Sequence, residues 1–218
     1  MLLCRQLLKA FSYFGNMLLH VHPDDPQPRN IKTIVECLHD GGSIIYPTDT
    51  IYGLGCDIFK HKAIEKICRI KNIEPAKAQL SFVCYDLSDL SKYTKSISTP
   101  LYRLLKSHLP GPYTFILPAG KQVPRILKSK KNTIGLRIPD NKICNAIVKE
   151  SGNPILSASL PGEMVEEYTD PDLIYENFKN LVDIIVDGGV GGTVPSTVVD
   201  CTSEEPVLLR KGLGNWEE

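Results

Sequence analysis

The sequence predicts an α/β fold built on one main, mixed sheet. Short aliphatic and β-branched runs alternate with stretches of helical period along the chain. A length of 218 residues suits one domain with a short extension. Hydrophobic residues make up 42% and charged residues 23%, an ordinary balance for a chain that buries a core.

Met1 to Leu19 is apolar, but Arg5 and Lys9 interrupt it and no small-x-small cleavage site follows. No apolar run is long enough to span a membrane. Met17 is a second possible start, just before the polar turn His22-Pro23-Asp24-Asp25-Pro26. Residues 1–21 are therefore expected to be an N-terminal extension, the first sixteen of them outside the fold. One domain over 22–214 and a tail at 215–218 follow.

Asn30 is expected to cap a helix carrying Ile31, Ile34, Val35 and Leu38 on one face, stopped by Gly41-Gly42. Ser43 to Tyr46 reads as a strand, and His61 to Lys71 as a helix with Ile64, Ile67 and Cys68 inward. Leu80 to Cys84 is a strand. Ser98-Thr99-Pro100 opens a helix with proline in its first turn, ended by Pro110-Gly111-Pro112. Tyr113 to Leu117 and Thr133 to Ile138 are strands, and Asp140 is expected to cap a helix through Lys149. Pro154 to Ser159 is a strand, Asp170 to Asn180 a helix and Val182 to Val186 a strand. A loop holds Gly188-Gly189 and Gly191-Gly192, before strands at Thr197 to Cys201 and Val207 to Arg210.

Lys plus Arg and Asp plus Glu are 25 each, so net charge excludes nothing. The distribution is uneven. Lys92 to Arg137 holds ten Lys/Arg and no acid, while Glu163 to Asp187 holds eight acids and one base, Lys179. The basic stretch suits either a solvated face or an anion site. The seven cysteines are odd in number and none pairs in C-x-x-C spacing, which argues against a disulfide framework or zinc site and fits buried thiols in a reducing cytoplasm.

Four short strands end in hydroxyl, basic or glycine residues: Ile44 to Thr50, Pro112 to Ile116, Gly135 to Pro139 and Ile155 to Ser159. Ligands of open α/β sheets sit at strand ends, where hydroxyls and arginines hold phosphate or carboxylate oxygens. Singly, Thr48 also suits a turn cap, Arg137 a surface strand and Ser157 an ordinary polar position. Their repetition favours one shared polar site. Alternation puts Arg137 on the face opposite Ile134, Leu136 and Ile138, and Gly135 beside it suggests room for a ligand near the backbone. There is no G-x-x-x-x-G-K-[ST], G-x-G-x-x-G, H-E-x-x-H or G-x-S-x-G, so Walker-type, dinucleotide, zinc-protease and serine-hydrolase chemistries lack their motifs.

Together these segments resemble the YrdC/YciO family. Tyr46-Pro47-Thr48-Asp49-Thr50-Ile51-Tyr52-Gly53-Leu54-Gly55-Cys56 is similar to its opening signature. Ile67 to Lys71, Pro110 to Phe115, Ile134 to Pro139, Leu156 to Ser159, Pro195 to Asp200 and Leu209 to Gly212 follow in the expected order. The resemblance implies a single-domain YrdC-like fold, a twisted mixed and mostly antiparallel sheet flanked by helices, with a basic concave face. It implies a threonylcarbamoyl-AMP synthase of tRNA t6A modification, a cytoplasmic enzyme using ATP with Mg²⁺, L-threonine and bicarbonate. The alternative it implies is a non-catalytic module for double-stranded RNA or tRNA. By position, Thr48 and Arg137 would hold the amino acid, Arg137 through its carboxylate, with Ser157 in the same substrate site. Arg69 and Lys71 would meet the triphosphate, and Thr114, Ser159, Ser196 and Arg210 would line the nucleotide. No residue is implied as covalent nucleophile or protein metal ligand. Two departures bring the chain closer to the YciO branch. Arg69-Ile70-Lys71 stands where synthases show K-x-R, and Ser157-Ala158-Ser159-Leu160-Pro161 stands where they show S-x-S-A-N.

Overall fold

The computed structural model describes residues 17–74, 80–127, 132–162 and 168–217. The expected extension at 1–16 lies outside them, as do Lys128, Lys130 and Lys131 of the basic stretch and Glu163, Glu166 and Glu167 of the acidic one.

The chain runs β1 (Met17–His20), α1 (Pro28–His39), β2 (Ser43–Tyr46), β3 (Gly53–Asp57), α2 (His61–Ile70), β4 (Ser81–Val83), α3 (Leu87–Ser91), α4 (Thr99–His108), β5 (Tyr113–Pro118), β6 (Thr133–Arg137), α5 (Lys142–Ser151), β7 (Ile155–Ser159), α6 (Pro171–Phe178), β8 (Ile184–Asp187), β9 (Thr197–Asp200) and β10 (Val207–Arg210). All ten strands form one sheet, ordered β1-β8-β2-β3-β7-β4-β6-β5-β9-β10. The pairs β1/β8, β2/β8, β4/β6 and β5/β9 are parallel; β2/β3, β3/β7, β4/β7, β5/β6 and β9/β10 are antiparallel. The sheet is mixed, as the alternating pattern predicts.

Each face has its own core. Leu54, Cys56, Leu156, Phe82, Leu136 and Phe115 point to one face, where Ile64 and Ile67 of α2, Leu90 of α3, Leu105 of α4 and Ile174 of α6 close over them. Ile44, Tyr46, Val83, Ile155 and Ile184 point to the other, under Ile31, Ile34 and Leu38 of α1 and Ile143 and Ile147 of α5. Strand periodicity alone sorts these residues, because neighbours along a strand face opposite ways.

Several boundaries differ from the sequence reading. Met17–His20 pairs with β8 and Val21 is buried, so residues 17–21 belong to the fold. The helix expected to start at Asn30 starts earlier, because Pro28 at its first turn presets φ and has no amide hydrogen to satisfy. Asn30 instead donates from Nδ2 to His20 O at 2.9 Å. The cap of α5 is Asn141, whose side chain accepts from Cys144 N at 2.9 Å. The amide of Asp140 is used elsewhere. At the other end, Trp216 of the expected tail packs against His108 and Phe115.

Asp183 ties three elements together. Its Oδ2 accepts from Ser43 N at 2.8 Å, Ser43 Oγ at 2.9 Å and Lys66 Nζ at 2.7 Å. Burial works against the charge, but Lys66 and the Ser43 donors hold the carboxyl below its ordinary range. A depressed folded pKa contributes stability above the ordinary carboxylate range, which is lost as pH falls through the depressed value. Asp183→Ala should destabilise the protein by about 2 kcal/mol, since Ser43 N then lacks its acceptor. Urea titration at neutral pH measures this. The gap between variant and parent should narrow in acid, and a gap that is constant with pH would contradict the assignment.

Candidate functional site

Helices α1 and α5 cover the second face over β2, β8 and β7. Further along the same face small and polar residues replace the aliphatic ones. Gly55 pairs with Ser157, Ser157 with Ser81 and Ser81 with Gly135, giving a floor of short side chains across four strands. Tyr46 lies beside this floor and its hydroxyl donates to Ser157 Oγ at 2.9 Å. Burial, the largest effect on Tyr46, pushes its pKa up, so the phenol stays a neutral donor. Ser157 therefore accepts from Tyr46 and has its own proton left to give. The space above Gly135 differs from expectation. A Cβ there would stand 3.2 Å from both Ser81 Cβ and Thr114 Cγ2, so neighbouring side chains fill the room expected for a ligand.

Arg137 ends β6 on this face, as alternation predicts, but it is not an open surface arginine. It is 7% exposed. Its Nη2 donates to Asp49 Oδ1 at 2.9 Å and to Thr50 Oγ1 at 3.0 Å. Asp49 Oδ2 accepts from the Asp140 amide at 3.1 Å, which locks the β2–β3 loop to the start of α5. The Arg137 Nε is buried and has no hydrogen-bond partner. Burial raises the Asp49 pKa and the Arg137 guanidinium offsets this in part. Thr48 was expected to hold a ligand directly. Instead its hydroxyl donates to Ile51 O at 2.7 Å and accepts from Thr50 N at 3.1 Å, so it closes the turn that carries Asp49.

On the other flank, Thr114 Oγ1 and Ser196 Oγ lie 2.8 Å apart. Arg210 donates to Ser196 O from Nε at 3.1 Å and Nη2 at 2.9 Å. Burial, and then the Arg137 guanidinium, lower the Arg210 pKa, so the two cations feel each other. Arg210 has no carboxylate partner among the described residues. At the far end Lys71 Nζ reaches Ser159 O at 2.7 Å and Ser159 Oγ at 3.2 Å, and burial lowers its pKa. Arg69 is exposed on α2 and makes no described contact with this site.

The structure thus gathers Arg137, Ser157, Thr114, Ser196 and Arg210 on one face, with Lys71 and Ser159 at a rim and Arg69 apart. Sequence reasoning missed Tyr46, Asp49, Thr50 and Ser81 as site residues. Lys92 and Lys95 flank α3, and Arg103 and Lys106 lie on α4; these helices close the opposite core. Apart from Arg137, then, these basic residues do not line the site. Burial pushes the Cys144 thiol, next to Arg137 and Asp49, up to about 12, so it is no nucleophile. Among the described residues no group of three or more His, Cys, Asp or Glu side chains gathers to hold a metal. No helix among them is long and apolar enough to cross a membrane.

Comparison with known proteins identifies the family. A family model for Sua5, YciO and YrdC, described as "Telomere recombination", matches residues 36–212. The chain belongs to the Sua5/YciO/YrdC family. An uncharacterized Haemophilus influenzae protein is 44% identical over 203 residues, 92% of this chain and 97% of its own. The crystal structure of Escherichia coli YciO superposes with a TM-score of 0.85 at 43% identity, covering 91% of this chain and 97% of that one. A threonylcarbamoyl-AMP synthase of Pyrococcus abyssi is 32% identical over 185 residues, 84% of this chain and 54% of its length. The structure of P. abyssi Sua5 complexed with L-threonine matches with a TM-score of 0.80 at 29% identity, over 90% of this chain and 57% of that one. The Sua5/YciO/YrdC chain thus spans little more than half the length of these archaeal relatives.

Proposed function

We propose that the chain is a threonylcarbamoyl-AMP synthase-like nucleotidyltransferase acting in tRNA t6A modification. ATP with its Mg²⁺, L-threonine and bicarbonate would be the substrates. The observation that carries this is the pair of guanidiniums, Arg137 and Arg210, facing one hydroxyl-lined floor, with Arg137 alone paired to a buried carboxylate, Asp49. That face has an excess of positive charge and proton donors at Ser157 and Arg137, which suits a ligand with anionic groups at two points. The likeness to Sua5 complexed with L-threonine supports an amino acid as one of them.

The chemistry asks little of the protein beyond alignment and charge. Bicarbonate takes up a proton and loses water to give carbon dioxide, and the neutral threonine amine adds to it as a carbamate, releasing a proton in turn. A carbamate oxygen attacks the α-phosphorus of ATP, the bond to the β-phosphate oxygen breaks and pyrophosphate leaves. Arg137 would grip the threonine carboxylate through its unbonded Nη1. Ser157 would donate to the carbamate or α-phosphate, and Thr114, Ser196 and Arg210 would line the nucleotide. Lys71, whose charge is held at the Ser159 rim, would meet the leaving pyrophosphate. Mg²⁺ would enter on the triphosphate as part of the substrate.

Pyrophosphate release from ATP tests this reading. Release is expected only when threonine and bicarbonate are both present. Release independent of threonine, or none at all with saturating substrates, would overturn it and leave polyanion binding as the better account.

A further inference from the structure

A buried carboxylate, Asp49, already occupies one corner of the Arg137 guanidinium. We propose, given the reading above in which Arg137 meets the ligand carboxylate, that Asp49 is a specificity residue: it denies Arg137 to small free anions and reserves it for a ligand anchored elsewhere in the cradle.

Both protons of Arg137 Nη2 are spent, one on Asp49 Oδ1 and one on Thr50 Oγ1. Nε is buried without a partner, and Nη1 carries no described hydrogen bond. An incoming anion therefore meets one corner of the guanidinium rather than its two-toothed edge, which is the stronger mode. Asp49 cannot swing away. Its side chain is 8% exposed, its second oxygen accepts from the Asp140 amide, and the Thr48 hydroxyl closes the turn that holds it.

Arg137 and Arg210 bring two positive charges, and Asp49 is the buried negative charge bonded to Arg137; Asp140, exposed to solvent, also acts on Asp49. Removing the Asp49 carboxylate would add one unit of positive charge at nearly constant shape. At separations of a few ångströms in a partly buried pocket, one unit charge changes anion affinity on the order of tenfold or more. A free phosphate or sulfate has only this attraction to hold it. Threonine brings a second anchor, the amine or carbamate end that the Ser157 hydroxyl can hold, so it tolerates the repulsion of Asp49. ATP and pyrophosphate are plentiful anions in such a reaction, and an undefended Arg137 would be occupied by them.

The test uses sulfate as probe and thermal unfolding of the full chain as readout, with ionic strength held constant by sodium chloride. A ligand that binds only the folded state raises Tm in a saturable way. The parent should respond weakly to millimolar sulfate. Asp49→Asn should show a saturable rise, with sulfate bound on the order of tenfold more tightly than in the parent. Asp49→Glu, which keeps the charge, should behave as the parent, and Asp49→Asn with Arg137→Met should lose the rise. Should Asp49→Asn fail to fold, Asp49→Ser carries the same expectation. Equal sulfate response in parent and Asp49→Asn, a response in Asp49→Glu as large as in Asp49→Asn, or a rise that survives loss of Arg137 would each overturn the role. None of these arms needs turnover. A parent that releases no threonine-dependent pyrophosphate sinks the synthase reading, while the sulfate series still decides what Asp49 does.

Discussion

Arg137→Ala should cost about 3–5 kcal/mol of stability, because it strands Asp49 as an unpaired buried charge. The pair is enclosed: Arg137 is 7% exposed and the Asp49 side chain 8%. Asp49 keeps only backbone amides, that of Asp140 and its own, once the guanidinium is gone. Part of the penalty is avoided if the carboxyl takes up a proton, and burial already inclines it that way. The loss should therefore shrink as pH falls. Arg137→Lys keeps the charge and much of the fold, but a point ammonium cannot bond Asp49, Thr50 and a ligand together. Under the synthase reading it should weaken threonine binding by on the order of 1–3 kcal/mol. Urea unfolding and calorimetric titration of threonine with a non-hydrolysable ATP analogue measure the two effects. A cost below about 1 kcal/mol for Arg137→Ala would mean that solvent screens the pair.

Gly55→Ala should destabilise by about 3 kcal/mol, large for a single methyl group. The new Cβ would stand 2.6 Å from Leu156 O, 2.7 Å from Ile155 Cγ2 and 2.9 Å from Tyr46 Cε1. The first of these is backbone of β7, which is paired on both sides, to β3 and β4. That contact cannot be relieved by a side chain, and the contact with the ring is relieved only if Tyr46 moves, whose hydroxyl then leaves Ser157. The fold and the site should suffer together, so pyrophosphate release measured well below Tm should also drop. Parent-like stability would show that β7 can shift without cost.

These two residues also show how far the sequence could be read. Arg137 was legible by face, since Ile134 and Leu136 alternate with it and both enter the opposite core. Its partner was not. Asp49 is 88 residues away, and Thr48-Asp49-Thr50 reads locally as a turn. The pairing exists only because the register of the sheet brings the two loops together. Gly53–Asp57 does not read as a strand from its residues, because glycine weakens strand propensity. Its glycines are there because the Tyr46 ring lies against them, a fact held by packing and not by local preference. Helix starts failed for a similar reason. Asn30 and Asp140 both have good capping side chains, but the first helix already begins at Pro28, after Gln27, and Asn141 caps the other; the Asn30 side chain and the Asp140 amide make tertiary bonds instead.

The edge strand β1 has a consequence for how the chain is made. Leu18 lies beside Ile185, 167 residues later, and β1 pairs with no other strand. On the ribosome Met17 to His20 emerges before β8 and waits through the synthesis of the 167 residues that separate Leu18 from Ile185 before β8 exists to receive it. Strand β2 waits for β8 as well, though β3 can occupy its other side at once. A nascent chain of this protein therefore carries an unmatched apolar edge until β8 emerges, the situation in which chaperones engage growing polypeptides.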